Sequence, residues 1–218
     1  MQREAVEWLT RQGLLAALVL EMAEQGHSTQ GLPPDASEAS VQAALAWNDG
    51  AWPWLQYGPV AMAAVRAGVP VHGGNLPRRE LRTALTDSTL DALLSPAALE
   101  RQRQAVRDGH CGLLPEPRVP GMARVQVARD LRMAQTAAAA QRPGKVVLVV
   151  AGAAHVKRSL GVPVHLPENM TQKVVIAHTG IAEEAIKSEA DLLFQTPDLP
   201  PDDACAPLRQ RWQAAPAR

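Results

Sequence analysis

The chain has 218 residues, enough for one medium α/β domain with a core of its own. Lys plus Arg and Asp plus Glu number 22 each, so the formal net charge is zero, which argues against a dominant nucleic-acid role because phosphate binding draws on a basic surplus. No apolar run approaches the ~20 residues needed to span a bilayer, and the two cysteines, Cys111 and Cys205, allow one disulfide but neither a disulfide framework nor a Cys-x-x-Cys zinc pair.

Residues 3–12 predict an amphipathic helix, with Val6, Leu9 and then Leu14 on one side and Gly13 as its stop. Leu15 to Met22 reads as a strand, by its length and by Gly13 before it, and Glu21 stands at its carboxyl end. An α/β domain usually starts with a strand, so a first strand is expected to be missing ahead of this helix. No export signal is visible at the amino terminus, which has neither a basic leader nor a lipobox cysteine. Residues 26–37 form a loop, 40–46 a short helix, and Trp47 to Trp54 an irregular stretch. Gly58-Pro59 opens a helix through Ala67, with the proline in its first turn. Val69 to Gly74 is a short strand leading to Asn75. Residues 81–86 and 95–108 are helical, the second capped by Ser95 with Pro96 at its first position. A loop over 109–119 carries His110 and Cys111. A long helix over 121–141, with Met122, Val125 and Met133 along a face, is broken by Pro143-Gly144. The unbroken run from Val146 reads as a strand buried on both faces, and through Gly152 it presents His155 beyond its carboxyl end. Residues 172–177 and 190–195 add two strands, and a Pro- and Asp-rich tail ends in a short polar helix of little tertiary value. No internal repeat is found. Alternating strands and helices imply an α/β fold, a mostly parallel sheet flanked by helices. The expected organisation is one domain over 1–197 and a polar tail over 198–218.

Parallel strands bring their carboxyl ends to one edge, and ligands of open α/β sheets bind there. Glu21, Asn75 with Arg78, and His155 follow apolar stretches and are the candidates for that edge, with His110 on a loop. His155 can ligate a metal, shuttle a proton or hydrogen-bond a cofactor, or it merely caps the following turn. Asn75 is a natural helix N-cap, and Arg78 either is solvated or holds a carboxylate or phosphate near the helix start. On the long helix Gln126, Arg129, Asp130 and Met133 fall three or four apart, on one face. That face is either a buried Arg-Asp pair or a solvated surface. Aromatics are sparse except where Trp47, Trp52 and Trp54 precede the sole tyrosine, Tyr57. Such a cluster lines an apolar ligand pocket or plugs the space under a loop.

Seen together, Leu20-Glu-Met22, Trp52-Pro-Trp with Tyr57, Gly74-Asn-Leu-Pro-Arg78, Gly109-His-Cys111, Gly121-Met, Gln126-x-x-Arg-Asp-x-x-Met-Ala134 and Ala151-Gly-x-x-His-Val156 stand in a recognisable order. Over roughly residues 3–196 the chain resembles the ChaN-like haem-binding family, which is related to the wider Tiki, TraB and erythromycin-esterase-like group. The resemblance implies an EreA/ChaN-like α/β fold and a haem-binding function in iron uptake or haem handling. It implies a homodimer in which a tyrosine of one subunit holds the iron and a histidine of the other lies close. It also implies a periplasmic or outer-membrane lipoprotein, whose lipid anchor is absent from this chain.

Carried onto this sequence, the resemblance makes Tyr57 the candidate iron ligand, since a phenolate suits ferric haem. Trp52 and Trp54 would pack on the porphyrin, and Arg78 would pair with a propionate. His110, Arg129 and His155 complete the candidate haem contacts. The alternative is a metal-dependent hydrolase of the Tiki/TraB/esterase group, in which Glu21, His110 and His155 converge on a divalent metal or a water. One departure stands out. The family usually begins with a strand ending in a Gly-Glu-x-His-Asp-like motif, which this chain lacks, and His27 is not its equivalent. The expectation is therefore an incomplete site, with a central strand missing and a hydrophobic groove in its place.

Overall fold

Helix α1 (Gln2–Arg11) stops where Gly13 adopts a φ of +64°, a left-handed conformation that glycine takes at no steric cost. The Leu14 N–H then returns to the Leu9 carbonyl at 2.9 Å and turns the chain into β1 (Leu15–Glu24). In the computed structural model, which describes residues 1–180, 184–198, 203 and 205–214, β1 lies between β2 (Val71–Asn75) and β3 (Val146–Val150) in a parallel sheet. Leu18 is level with Val71 and Leu148, and Leu20 with Gly73 and Val150. Side chains alternate across a strand. Leu18, Leu20 and Met22 therefore share a face, where they meet Val6, Val41, Leu45 and Val65 in the core. Val19 points the other way, toward Met133 of the long helix, and both crowd the missing side chain of Gly74.

Two predicted boundaries move, each for a capping reason. Helix α2 (Glu38–Ala44) starts before residue 40 because the Ser37 hydroxyl accepts the Ser40 N–H at 3.1 Å. Helix α3 (Trp54–Arg66) starts a turn before Gly58-Pro59 because the Asp49 carboxylate accepts the Trp54 N–H at 2.7 Å. Pro59 then lies inside the helix. Its missing N–H cannot serve the Leu55 carbonyl, and this lies where Leu55 is 91% exposed, so the loss falls on the solvent side of the helix.

The strand Val146–Val150 is not buried on both faces as its sequence predicts. Val146 is 41% exposed, and among the described residues β3 pairs with β1 alone, which leaves it at the sheet's edge. β1 is paired along both edges, so among the described residues the open edge of this sheet is the outer side of β3. The outer edge of β2 is covered by the chain just after β1. Ser28 bridges His72, and the Thr29 N–H reaches the Val71 carbonyl at 2.9 Å, which blunts an edge that would otherwise offer unpaired backbone.

The described residues divide into two units. The first holds Met1–Leu81, Arg129–Gly152 and His165–Met170; the second holds Arg82–Ala128, Ala153–Val164 and the described residues from Thr171 on. The second unit contains the rest of α4 (Leu81–Thr86), α5 (Pro96–Gly109) and the first part of α6 (Val119–Ala140). As predicted, Ser95 caps α5 by accepting the Ala98 N–H at 3.3 Å. Val106 packs on Val119 and Ala123, and Arg124 grips Asp91 through two nitrogens at 2.9 and 2.8 Å.

Short helices α7 (Ala153–Val156) and α8 (Val162–His165) lead to β4 (Val175–His178), α9 (Glu184–Lys187), β5 (Leu192–Gln195) and α10 (Ala206–Ala214). The last two strands pair in parallel with each other in a sheet of their own and do not extend the first, so the single sheet expected from the sequence is two. Asp191 locks them together. It accepts the Val174 N–H at 2.8 Å and faces Arg158 and Lys173, and these contacts, the Val174 N–H foremost, lower its carboxyl to about 2. Cys111, in the loop after α5, is disulfide-bonded to Cys205 at the foot of α10. The polar tail, expected to be of little tertiary value, is thereby tied to the loop after α5 by a bond that two cysteines alone permitted but did not require. Its residues 199–202, 204 and 215–218 lie outside the described residues. Among the described residues no helix is long and apolar enough to cross a membrane.

Candidate functional site

The carboxyl edge of the first sheet is held together by Glu21. This side chain is 4% exposed, and its carboxylate accepts the Gly152 N–H at 2.7 Å, joining the end of β1 to the turn that follows β3. The Glu21 carbonyl accepts from the Asn75 side-chain amide at 2.8 Å, and the Asn75 oxygen accepts the Leu76 N–H at 2.8 Å. Asn75 is thus not the helix cap that its sequence suggests. It clasps two strand ends, and the short 3₁₀ turn Arg78–Glu80 begins later, behind Pro77. A carboxylate accepts more strongly than a neutral oxygen, and truncating this buried side chain would remove the bond together with its packing at the carboxyl edge. Glu21→Ala is therefore expected to lose about 2 kcal/mol or more of unfolding free energy. Urea unfolding measures this, and an unchanged midpoint would sink the clasp.

The second half of α6 completes this side of the sheet. Asp130 is 2% exposed and Met133 is fully buried one turn on, so this face of the helix is interior and not solvated. Arg129 is half-buried, with its Nε buried and without a hydrogen-bond partner. Arg132 reaches Glu80 at 2.7 Å, and Gln25 donates to Thr136 at 3.1 Å. Arg78 is exposed, 3.7 Å from Glu24, a contact of little energetic weight that leaves its guanidinium open to a ligand.

The aromatic cluster lies on the opposite face, packed against the Leu18 and Leu20 core. Trp47 meets Trp54 edge to face with centroids 4.9 Å apart, and Trp52 meets Tyr57 in the same manner at 5.5 Å. The Trp54 ring nitrogen donates to Glu38 at 2.8 Å, and that of Trp47 to the Trp52 carbonyl at 2.8 Å. Gly58 lies so close to the Trp54 ring that an added Cβ would come within 2.4 Å of it. Trp47 and Trp54 are therefore a plug under the loop. Trp52 and Tyr57, both half-buried, form its outer layer. The Tyr57 hydroxyl has no hydrogen-bond partner among the described residues. The aromatic cluster and Glu21 consequently belong to different faces of the sheet and do not share one wall.

His110 and His155 belong to the second unit. His110 ends α5, its Nδ1 2.8 Å from the Val106 carbonyl. His155 is 8% exposed in α7, and the chain packs so tightly there that a Cβ on Gly161 would meet the His155 carbonyl oxygen at 2.0 Å. Among the described residues no three His, Cys, Asp or Glu side chains are placed to hold a metal ion. Sequence reasoning missed Glu38 and Asp49, which position the aromatic cluster, and the Gly152 N–H that Glu21 needs.

Residues 1–166 match the family described as haem-binding uptake, Tiki superfamily, ChaN. The match covers most of the chain. This chain belongs to the ChaN family. A solved structure, described as cofacial heme binding to ChaN of Campylobacter jejuni, shares the fold with a TM-score of 0.66 at 20% identity, over 87% of this chain and 77% of that one. No curated protein matches the chain. The ChaN match ends before β4 and β5, so the second sheet and Cys205 lie beyond the span that defines the family here.

Proposed function

We propose that this ChaN-family protein binds haem, with the Tyr57 phenolate as the axial ligand of ferric iron. The observation that carries the proposal is the state of Tyr57. It is the sole tyrosine in the chain, it is half-buried against Trp52, and its hydroxyl has no protein partner among the described residues. A phenol oxygen without a protein partner beside an aromatic surface fits an iron-porphyrin, which wants an anionic oxygen ligand and a flat apolar contact. Bound haem would supply a ferric centre for transport or handling of iron. Trp52 is the tryptophan open to the porphyrin, while Trp54, spent on the core and Glu38, holds Tyr57 and Trp52 in place from beneath. Arg78 is the cation proposed for a propionate; Arg129, on the face of the sheet opposite the aromatic cluster, is not assigned to the same haem.

The proposal extends to a homodimer. The relative from Campylobacter jejuni is described as binding haem cofacially, and Leu55, almost fully exposed on α3, offers apolar surface that a second copy would cover. Of the two candidate histidines, half-buried His110 is more open to a partner's haem than His155. The Cys111–Cys205 disulfide supports an oxidising, extracytoplasmic compartment such as the periplasm.

Titration with ferric haem tests the proposal through the Soret band. Tyr57→Phe is expected to shift the band and weaken binding by at least the roughly 10- to 100-fold that loss of an outer-shell partner costs a metal site. Binding with an unchanged spectrum would exclude Tyr57 as the ligand, and no Soret shift in the parent protein would end the haem proposal.

A further inference from the structure

The first unit contains a cavity of about 540 Å³ that includes none of the residues proposed for haem. Its lining mixes apolar side chains, among them Ala17, Leu32 and Val69, with the amides of Gln25, Gln30 and Gln135. Arg142 is the one charged side chain among its lining residues, which include no Asp or Glu. Arg142 follows α6, and its Nη1 donates to the Gln141 carbonyl at 2.8 Å and the Ala139 carbonyl at 3.4 Å. Its Nη2 and Nε have no partner among the described residues, and no carboxylate pairs with it there. His72 also lines the cavity. Burial, and then the Arg142 charge, lowers its pKa below the usual imidazole value, so it stands neutral near pH 7 and can donate or accept one hydrogen bond. Thr29 is a second unusual feature of the lining. It is 3% exposed, and its oxygen accepts the Val71 N–H at 2.9 Å, yet its hydroxyl proton has no acceptor among the described residues. Buried donors are rarely left unsatisfied without a reason.

An arginine free of acids, a neutral imidazole and a spare buried hydroxyl beside the apolar side chains of Leu32 and Val69 suit a ligand that joins one negative charge to a small apolar body. We propose that this cavity binds a small organic carboxylate, with the carboxylate paired to Arg142 and hydrogen-bonded by His72 and the apolar body against Leu32 and Val69. The inference is independent of haem and concerns a separate site.

Benzoate titrated into the isotope-labelled full chain tests it by amide NMR. Benzamide serves as the neutral probe of similar shape, and inorganic phosphate as the anion without an apolar body. Benzoate is expected to shift the amides of residues 29–32, 69, 71 and 72 saturably, and to bind about tenfold or more tightly than either control, as a charge-assisted pair with guanidinium implies. Arg142→Gln should weaken benzoate by a similar factor. Ala139→Leu, which extends a side chain from the rim, should block it while the spectrum keeps its dispersion. The proposal fails if benzoate produces no saturable shifts at these amides. It fails equally if benzamide or phosphate binds as tightly, or if Arg142→Gln, folded by the same spectrum, leaves benzoate affinity unchanged.

Discussion

Removing the Cys111–Cys205 bridge by the double substitution Cys111→Ala and Cys205→Ala is expected to cost about 4.5 kcal/mol of unfolding free energy, the chain-entropy value for a loop of this length. The bridge closes a sequence separation of 94 residues, so the unfolded chain regains much freedom when it is cut. The second unit has reason to depend on it. The core around Val106 is small, and a two-stranded sheet such as β4 and β5 is marginal without outside support. Urea unfolding of the double variant measures the total loss. Hydrogen exchange locates it, with faster exchange expected at residues 175–178 and little change at residues 18–20 in the centre of β1. A double variant with the parent's midpoint would show that the bridge contributes nothing to stability.

The legible parts of the fold are those with local causes. Ser95 followed by Pro96 announces the start of α5, and Gly13 announces the end of α1, because capping is written within a few residues. The start of α3 is not legible, because its cap comes from Asp49, five residues before the N–H it accepts. An apolar run such as Val146 to Val150 signals a strand but not its neighbours, and only the pairing shows β3 to be an edge. The same limit hides the separation of β4 and β5 from the first sheet. Of the site, Glu21 is legible as a carboxylate at a strand end, but its partner is a backbone N–H more than a hundred residues away, which no side-chain motif reveals. The aromatic cluster is visible in composition. Which rings plug the core and which stay accessible follows only from Glu38, Gly58 and the face of the sheet they occupy.

Gly73→Ala is expected to be the most damaging single-methyl change in the first sheet, at about 3 kcal/mol or more, the upper end for overpacking. A Cβ at this position would lie 2.0 Å from the Glu24 carbonyl oxygen and 2.7 Å from its carbon, and both are backbone atoms. Backbone cannot swing aside as a side chain can. The close approach arises from the register: from Leu20 to Glu24 β1 advances by four residues, while from Gly73 to Asn75 β2 advances by two. The surplus curls β1 over Gly73, and Glu21 sits at the start of that curl, where its carboxylate reaches Gly152 and its carbonyl reaches Asn75. Gly74→Ala is the control. Its Cβ would meet the Val19 side chain at 2.7 Å and that of Met133 at 3.0 Å, which can shift, so a cost of about 1–2 kcal/mol is expected. Chemical denaturation of the two variants ranks them, and the Gly152 amide resonance reports whether the Glu21 bond survives. Gly73→Ala should move that resonance and Gly74→Ala should leave it near its parent position. If both variants cost the same and spare Gly152, the curl of β1 does not position Glu21. If they differ as expected, Gly73 serves the geometry of the carboxyl edge directly: the missing side chain lets one strand fold over its neighbour and so places the buried carboxylate.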